Sequence, residues 1–217
     1  MTDGAYDSLL ALNCGSSSIK FALFTSGMVR TMFGLVEAIG HGQTPRLVLP
    51  DEAAVDFGTE NQDHAALLPK LIDEIILPRA GVIGGVGHRV VHGGEQFTAP
   101  VVIDASVRSA IDALAPLAPG HQPHNLAGID AALTALPDVI QVACFDTAFH
   151  TSVPLVRREM ALPRTYARQG LIRYGFHGLS YEHVAATLPQ LGLTRGRVVA
   201  CHLGNGCSIS GMIDGIS

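Results

Sequence analysis

Apolar residues alternate with short polar turns in two widely separated parts of the chain, and each pattern predicts a β-hairpin. In the first, an apolar run over residues 9–12 leads into a turn of Asn, Gly and three serines, and a second run over 19–24 leads out of it. In the second, residues 197–203 and 208–213 flank a turn of Gly and Asn. Apolar and β-branched runs around such turns are typical of paired strands.

Between the hairpins, the pattern predicts strands that alternate with helices. Pro78 is expected to end a helix whose leucines and isoleucines recur at helical spacing. Asp104 is expected to cap a second helix and Asn125 to open a third. The expected helices cover residues 63–77, 104–114, 125–136 and 178–188, and the further strands cover 29–36, 46–49, 81–91 and 139–145.

This order of elements predicts an α/β first domain over residues 1–150 and the beginning of a second domain over residues 151–217. Two similar hairpins suggest a duplicated fold in which each half offers a loop to a shared cleft. The Asp-Gly turn at residues 214–215 should lead into another strand. Because too few residues follow position 150 to form a second half, we expect a fragment or truncated product.

Composition narrows the possible partners. The chain is 47% apolar and 15% charged, with a net charge of −5 and no run of like charges, so a nucleic-acid partner is not expected. No apolar stretch reaches the roughly 18 residues that span a bilayer, and residues 1–8 lack the features of a signal peptide. A cytoplasmic protein without a membrane partner is therefore expected.

The four cysteines are expected to be reduced and buried, with a disulfide or zinc site as the alternative: Cys14, Cys144, Cys201, Cys207.

The tip of the first hairpin suits a phosphate group. Small residues let backbone amides approach an anion, serine hydroxyls donate hydrogen bonds, and Lys20 follows with a positive charge. An ordinary surface turn is the alternative. The second Gly/Asn hairpin favours the phosphate interpretation, because paired phosphate hairpins are the arrangement of the actin-like superfamily of sugar kinases and heat-shock ATPases.

Three further residues are candidates for chemistry. Arg89 stands between two histidines and before a Gly-Gly pair, so its planar fork could anchor an anion, a surface ion pair being the alternative. Asp146 follows a buried strand, where a carboxylate can hold Mg²⁺ or act as a base, or merely cap a turn. His177 lies among glycines and could stabilise developing charge, or be structural. His121 and His124 lack an evident third ligand, so zinc is not expected.

Together these segments resemble the acetate kinase (acetokinase) family of short-chain carboxylate kinases. The resemblance covers almost the whole chain in order and rests on the first hairpin and five further blocks, at residues 87–97, 115–126, 145–150, 173–178 and 202–208. It implies the duplicated actin-like, ribonuclease H-like α/β fold. It also implies reversible transfer of the ATP γ-phosphoryl group to a short-chain carboxylate with Mg²⁺, giving acetyl phosphate from acetate, by a homodimer.

By position, the resemblance assigns a role to each matching residue. Arg89, Asp146 and His177 would be catalytic, with Arg89 also clamping the carboxylate. Asn13 would help to hold Mg²⁺. The other substrate-binding residues would be Val91, His121 and Phe176, and the nucleotide-binding residues Lys20, His202, Leu203, Gly204, Asn205 and Gly206.

The chain departs from the family pattern in two ways. Gly120 stands where the family usually has a leucine of the acyl pocket, which predicts a roomier pocket that accepts propionate or a longer acid at least as readily as acetate. Family residues beyond Ser217 are missing, so the chain alone is expected to show little or no turnover. The alternatives are a butyrate or branched-chain fatty-acid kinase of the same fold, or a non-catalytic binding or dimerising fragment.

Overall fold

The computed structural model describes residues 6–40, 42–204 and 206–217. The chain forms two compact units, the first made of residues 1–90 and 100–144 and the second of residues 91–99 and 145–217. Within the second unit, the Phe97 and Phe145 rings stack and the Gly93 N–H donates to Thr147 Oγ1 at 3.0 Å. These contacts group 145–150 with the second unit. The domain boundary expected at residue 150 stays a prediction.

The first unit is built on an eight-stranded sheet with the order β5-β4-β3-β2-β1-β6-β8-β7. Strands β1 to β5 form an antiparallel meander, which contains the expected strands at 29–36 and 46–49, and β6 lies parallel to β1. Alternate residues of β1 and β2 are buried, as a half-buried strand requires. The strands are β1 Ser8–Cys14, β2 Ile19–Thr25, β3 Arg30–Glu37, β4 Arg46–Val48, β5 Val55–Asp56, β6 Ile83–Val90, β7 Val101–Val102 and β8 Ile140–Phe145.

The helices of the first unit confirm one expected boundary and correct two. Asp104 caps α3 (Ala105–Ala113) by accepting a hydrogen bond from the Val107 N–H at 2.7 Å. The expected end at Pro78 is wrong. α1 (His64–Leu71) continues through a π-helical turn, Ile72–Ile76, into α2 (Leu77–Ala80). Pro78 closely follows the π-helical turn, in which the Leu77 N–H donates to the Ile72 carbonyl five residues earlier, and this local change of helical period lets the helix continue past the proline.

The expected start of the third helix at Asn125 is also wrong. The helix α4 (Gln122–Ala135) begins three residues earlier, with a proline in its first turn. Asn125 is buried inside it, and its Nδ2 donates to the Cys14 carbonyl at the end of β1 at 2.7 Å. A tertiary hydrogen bond therefore accounts for this asparagine, rather than a helix cap.

Among its described residues, the second unit contains three α-helices, two 3-10 helical turns and a second, two-stranded sheet. The helices are α5 (Leu155–Arg158), α6 (Arg164–Arg168) and α7 (Gly178–Thr187). The strands β9 (Arg197–His202) and β10 (Ser208–Ile213) form the expected second hairpin. Nowhere in the described ranges does a helix have the length and apolar character needed to cross a membrane.

The expectation that all four cysteines are buried is wrong. Cys14 is buried, and burial raises the pKa of its thiol to about 12. Cys144 is half-buried. Cys201 and Cys207 are exposed, because alternate residues of β9 are exposed and Cys207 precedes β10.

The buried histidine of β6 predicts a loss of stability in acid. His88 Nε2 lies 2.6 Å from Gln141 Oε1, and burial lowers the pKa of its imidazole despite that hydrogen bond. Below pH about 6.5 the unfolded chain therefore binds more protons than the folded one. Stability should be full above that pH and fall as the pH drops through the folded pKa.

Urea unfolding at pH 8.0 and 5.5 measures this effect. His88→Gln should reduce the pH dependence, whereas His183→Gln, at an exposed position, should leave it unchanged. The pH difference will not disappear, because burial also lowers the pKa of His64. A wild-type chain more stable at pH 5.5 than at pH 8.0 would contradict the prediction.

Candidate active site

The first unit brings Asn13 and Arg89 together. They lie at the ends of the parallel neighbours β1 and β6, where Leu12 pairs with His88. Arg89 Nη1 donates to Asn13 Oδ1 at 3.1 Å. This hydrogen bond fixes one edge of the guanidinium, which is the group that the sequence predicts as an anion anchor.

Lys20 lies opposite Asn13 in the first hairpin. At the tip, the Gly15 N–H donates to the Ser18 carbonyl at 2.8 Å, which closes the turn. Lys20 lines an open cavity of about 520 Å³ together with Ser17, Ser18 and Arg46. Sequence reasoning missed Arg46, because the β3–β4 pairing that carries it to this cavity leaves no local motif. The cavity thus offers two hydroxyls and two cations to an anion, with the carboxylate of Glu37 in the same wall.

His121 also belongs to the first unit and is exposed at the N-cap of α4. Its backbone carbonyl accepts from the Asn125 N–H at 3.1 Å, in the first turn of the helix. Among the described residues, no side-chain hydrogen bond or ion pair of His121 defines a role. Its assignment to the substrate site stays a prediction.

In the second unit, Asp146 is held at the start of a tightly packed turn. It directly follows β8, and only 2% of its surface is exposed. The backbone carbonyl of Asp146 accepts a hydrogen bond from the Gly178 N–H at 2.8 Å. A Cβ at Gly178 would overlap that carbonyl oxygen, so the helix α7 can approach Asp146 this closely only because residue 178 is glycine.

His177 adopts a left-handed backbone conformation immediately before α7, with φ 57° and ψ 27°. This conformation is uncommon for a residue other than glycine and is often found at functional sites. His177 Nδ1 lies 2.8 Å from Ser208 Oγ, and that hydroxyl lies 2.6 Å from the Tyr181 hydroxyl. The imidazole orientation is thereby fixed from two elements, α7 and β10.

The second hairpin contacts His177 directly. The His177 and His202 rings stack with centroids 4.1 Å apart and planes 16° apart. His202 Nδ1 in turn lies 3.0 Å from Ser180 Oγ. Gly206, four residues after His202, has no side chain. A Cβ at this position would lie 3.8 Å from the His177 ring.

Two other predicted nucleotide-binding residues directly follow His202 in the chain. Leu203 and Gly204 are both exposed. Asn205 lies outside the described residues.

The two apolar residues predicted for the acyl pocket lie near one buried histidine. Val91 is buried and precedes His92, whose ring packs edge-on against the Phe176 ring at 5.6 Å. His92 Nδ1 accepts from the Gly94 N–H at 2.9 Å, and burial lowers the pKa of His92. The His92 imidazole therefore packs against the segment that carries Phe176 and lies next to Val91 in the chain.

Several residues that position the predicted ones were missed by sequence reasoning. Ser208 and Ser180 orient the two stacked histidines, and Thr147 Oγ1 accepts from the Gly93 N–H. A single serine or threonine carries no signal of this role, because its partner is tens of residues away. Within the described ranges, no cluster of three or more His, Cys, Asp or Glu side chains could hold a metal ion.

Comparison with solved structures identifies the fold. A propionate kinase from Francisella tularensis subsp. tularensis SCHU S4 and the Porphyromonas gingivalis acetate kinase each match with a TM-score of 0.83 and 35% identity, over 97% of this chain and 56% of theirs. The Entamoeba histolytica acetate kinase matches with a TM-score of 0.80 and 32% identity, over 97% and 53%. The α/β architecture is thus the actin-like fold of carboxylate kinases, as the hairpins predicted.

Sequence comparison identifies the family. The sequence model of the acetokinase family matches residues 8–217, and this chain belongs to that family. It is 42% identical to the acetate kinase of Methylocella silvestris over 96% of its own length, and 44% identical to that of Rhizobium meliloti over 97%. The chain spans 56% of each of these relatives, which is about half their length.

Proposed function

We propose that this chain carries catalytic machinery for transferring the γ-phosphoryl group of ATP to acetate or propionate. The observation that carries the proposal is the stacking of His177 on His202, beside the Asp146–Gly178 hydrogen bond. Phosphoryl transfer depends mostly on positioning and charge neutralisation. A histidine fixed against a phosphate-type hairpin and next to a buried carboxylate suits that requirement.

Each predicted residue has a defined part in this reaction. Arg89 binds the carboxylate of the acceptor through its planar guanidinium, which Asn13 orients. Asp146 acts at the reacting group, and His177 stabilises the negative charge that develops on the transferred phosphoryl. Lys20 and the loop at residues 202–206 neutralise the nucleotide phosphates.

Mg²⁺ fits the donor chemistry of these residues. In phosphoryl-transfer sites it is held by one or two protein oxygens together with waters and substrate phosphates. The amide oxygen of Asn13 and the carboxylate of Asp146 are oxygen donors of this kind. Mg²⁺ held by either of these oxygens would neutralise charge on the phosphates. Homodimer formation remains a prediction from the family resemblance, and a cytoplasmic location remains a prediction from the sequence features of the chain.

A hybrid protein tests the proposed function. In it, this chain replaces the matching part of the Methylocella silvestris relative. Acyl phosphate trapped as a hydroxamate is then measured with ATP and acetate, propionate or butyrate. ATP-dependent product with acetate or propionate supports the proposal. A folded hybrid that forms no hydroxamate with either acid, or that strongly prefers butyrate, would overturn it.

The missing side chain at Gly120 predicts the acid preference of the hybrid. No atom lies within 4 Å of a Cβ built at this position, so the backbone has room for a larger residue. Restoring the family leucine with Gly120→Leu should lower the ratio of kcat/KM for propionate over acetate about tenfold, the scale of a lost methylene contact. The KM for ATP serves as the control and should not change. An unchanged acid ratio, or a strict acetate preference before the substitution, would contradict the prediction.

A further inference from the structure

The second unit contains an arginine-lined cavity that the proposed function does not use. Its volume is about 110 Å³. Its wall includes Arg157, Arg158, Arg173 and Tyr174, with His150 and Thr151 beside them. No residue of the wall has a role in the proposed phosphoryl transfer.

The positive charge of this cavity is only partly balanced. Glu95 reaches Arg158 at 3.8 Å, and the Glu95 side chain is 61% exposed, so the pair is a weak surface-type ion pair. Neither Arg157 nor Arg173 forms an ion pair within the described part of the chain. Three guanidinium groups therefore meet one carboxylate, which leaves an excess of two positive charges.

The cavity is also held in shape by its own unit. The Arg173 N–H donates to the Arg158 carbonyl at 2.7 Å, and the Arg158 guanidinium lies 5.7 Å from the centre of the Tyr174 ring. His150 Nε2 lies 3.1 Å from the Phe176 carbonyl and its Nδ1 lies 2.7 Å from Ser217 Oγ. Both imidazole nitrogens of His150 already have hydrogen-bond partners. His150 therefore only lines the cavity, and the guanidinium N–H groups of the arginines are the donors available to a ligand.

We propose that this cavity binds a small oxyanion, with phosphate as the ligand that best suits it. Guanidinium groups bind phosphate oxygens through paired N–H donors, and several around one cavity suit a group with more than one negative charge. Burial and the nearby Glu95 raise the pKa of Tyr174, which keeps its hydroxyl protonated as a further donor. The volume accommodates a tetrahedral anion but not a nucleotide.

Binding at this cavity would bear on the candidate active site through the chain itself. Thr147 lines the cavity and directly follows Asp146, and Gly175 lines it two residues before His177. An anion held by the arginines would therefore contact the segments that carry both residues. The proposal does not depend on the proposed kinase function, since binding is measured without turnover.

Calorimetric titration of the 217-residue chain with inorganic phosphate, at constant ionic strength, tests the proposal. The variant Arg157→Gln/Arg173→Gln should weaken binding at least tenfold. The matched control is Arg164→Gln/Arg168→Gln, which removes the same charge from exposed positions outside the cavity and should change the affinity less than twofold. Circular dichroism verifies that each variant is folded.

A charge-conserving variant keeps the test decisive if the glutamine variant does not fold. Arg157→Lys/Arg173→Lys retains the charge but loses the guanidinium fork, and it should bind phosphate several-fold more weakly than the wild type. Succinate, titrated in parallel, distinguishes a phosphate site from a dicarboxylate site and should bind more weakly. The proposal is overturned by the absence of saturable phosphate binding, by tighter binding of succinate, or by equal losses in the cavity and control variants.

Discussion

Replacing Asp146 with asparagine is expected to lower the kcat of the hybrid enzyme about a thousandfold, within the range for losing a positioned catalytic acid or base. The substitution keeps the shape of the side chain and removes its charge. Since the Asp146 position is fixed by a backbone hydrogen bond from Gly178, the packing around it should persist. The loss should therefore appear in kcat rather than in folding.

The control for this prediction is Asp138→Asn, at an exposed carboxylate, which should leave kcat within twofold of the parent. Circular dichroism and urea unfolding establish that both variants are folded. An Asp146→Asn hybrid that retains more than a tenth of the parent kcat would contradict a catalytic role for this carboxylate.

Replacing Phe145 with alanine is expected to reduce the free energy of unfolding by about 3–5 kcal/mol, the usual cost of truncating a buried phenylalanine. Only 1% of Phe145 is exposed. Its ring stacks on Phe97 with centroids 4.7 Å apart and planes 6° apart. The substitution leaves a cavity directly before Asp146, where the unit cannot collapse without moving the end of β8.

Urea unfolding measures the effect, with two variants for comparison. Phe33→Ala removes a phenylalanine that is 42% exposed and should cost less than about 1 kcal/mol. Phe145→Leu fills part of the cavity and should cost less than Phe145→Ala. A loss below about 1 kcal/mol for Phe145→Ala would show that this ring does not hold the end of β8 in place.

Local patterns sufficed to predict the elements that build the site. The two hairpins, the strand before Asp146 and the cap at Asp104 each follow from adjacent residues, and the structure confirms all four. The helix boundaries at Pro78 and Asn125 were wrong for different reasons. A π-helical turn lets the helix continue past Pro78, and the Asn125 amide bonds to the Cys14 carbonyl rather than to its own helix.

Contacts between distant segments could not be predicted in the same way. The Arg89–Asn13 hydrogen bond depends on the parallel pairing of β1 and β6, and the two residues are 76 positions apart. Ser208 orients His177 from 31 positions away. No sequence spacing marks such pairs. The sequence therefore predicts which residues are candidates for chemistry, but it does not predict the hydrogen bonds that hold them in place.

Under the proposed function, a carboxylate and not water accepts the phosphoryl group of ATP. Phosphorus-31 NMR of the hybrid, with ATP, Mg²⁺ and acetate or propionate, measures the product directly. We expect an acyl phosphate resonance that grows as ATP is consumed and that grows about a thousandfold more slowly with Asp146→Asn. Conversion of ATP to ADP and inorganic phosphate without an acyl phosphate signal would contradict it.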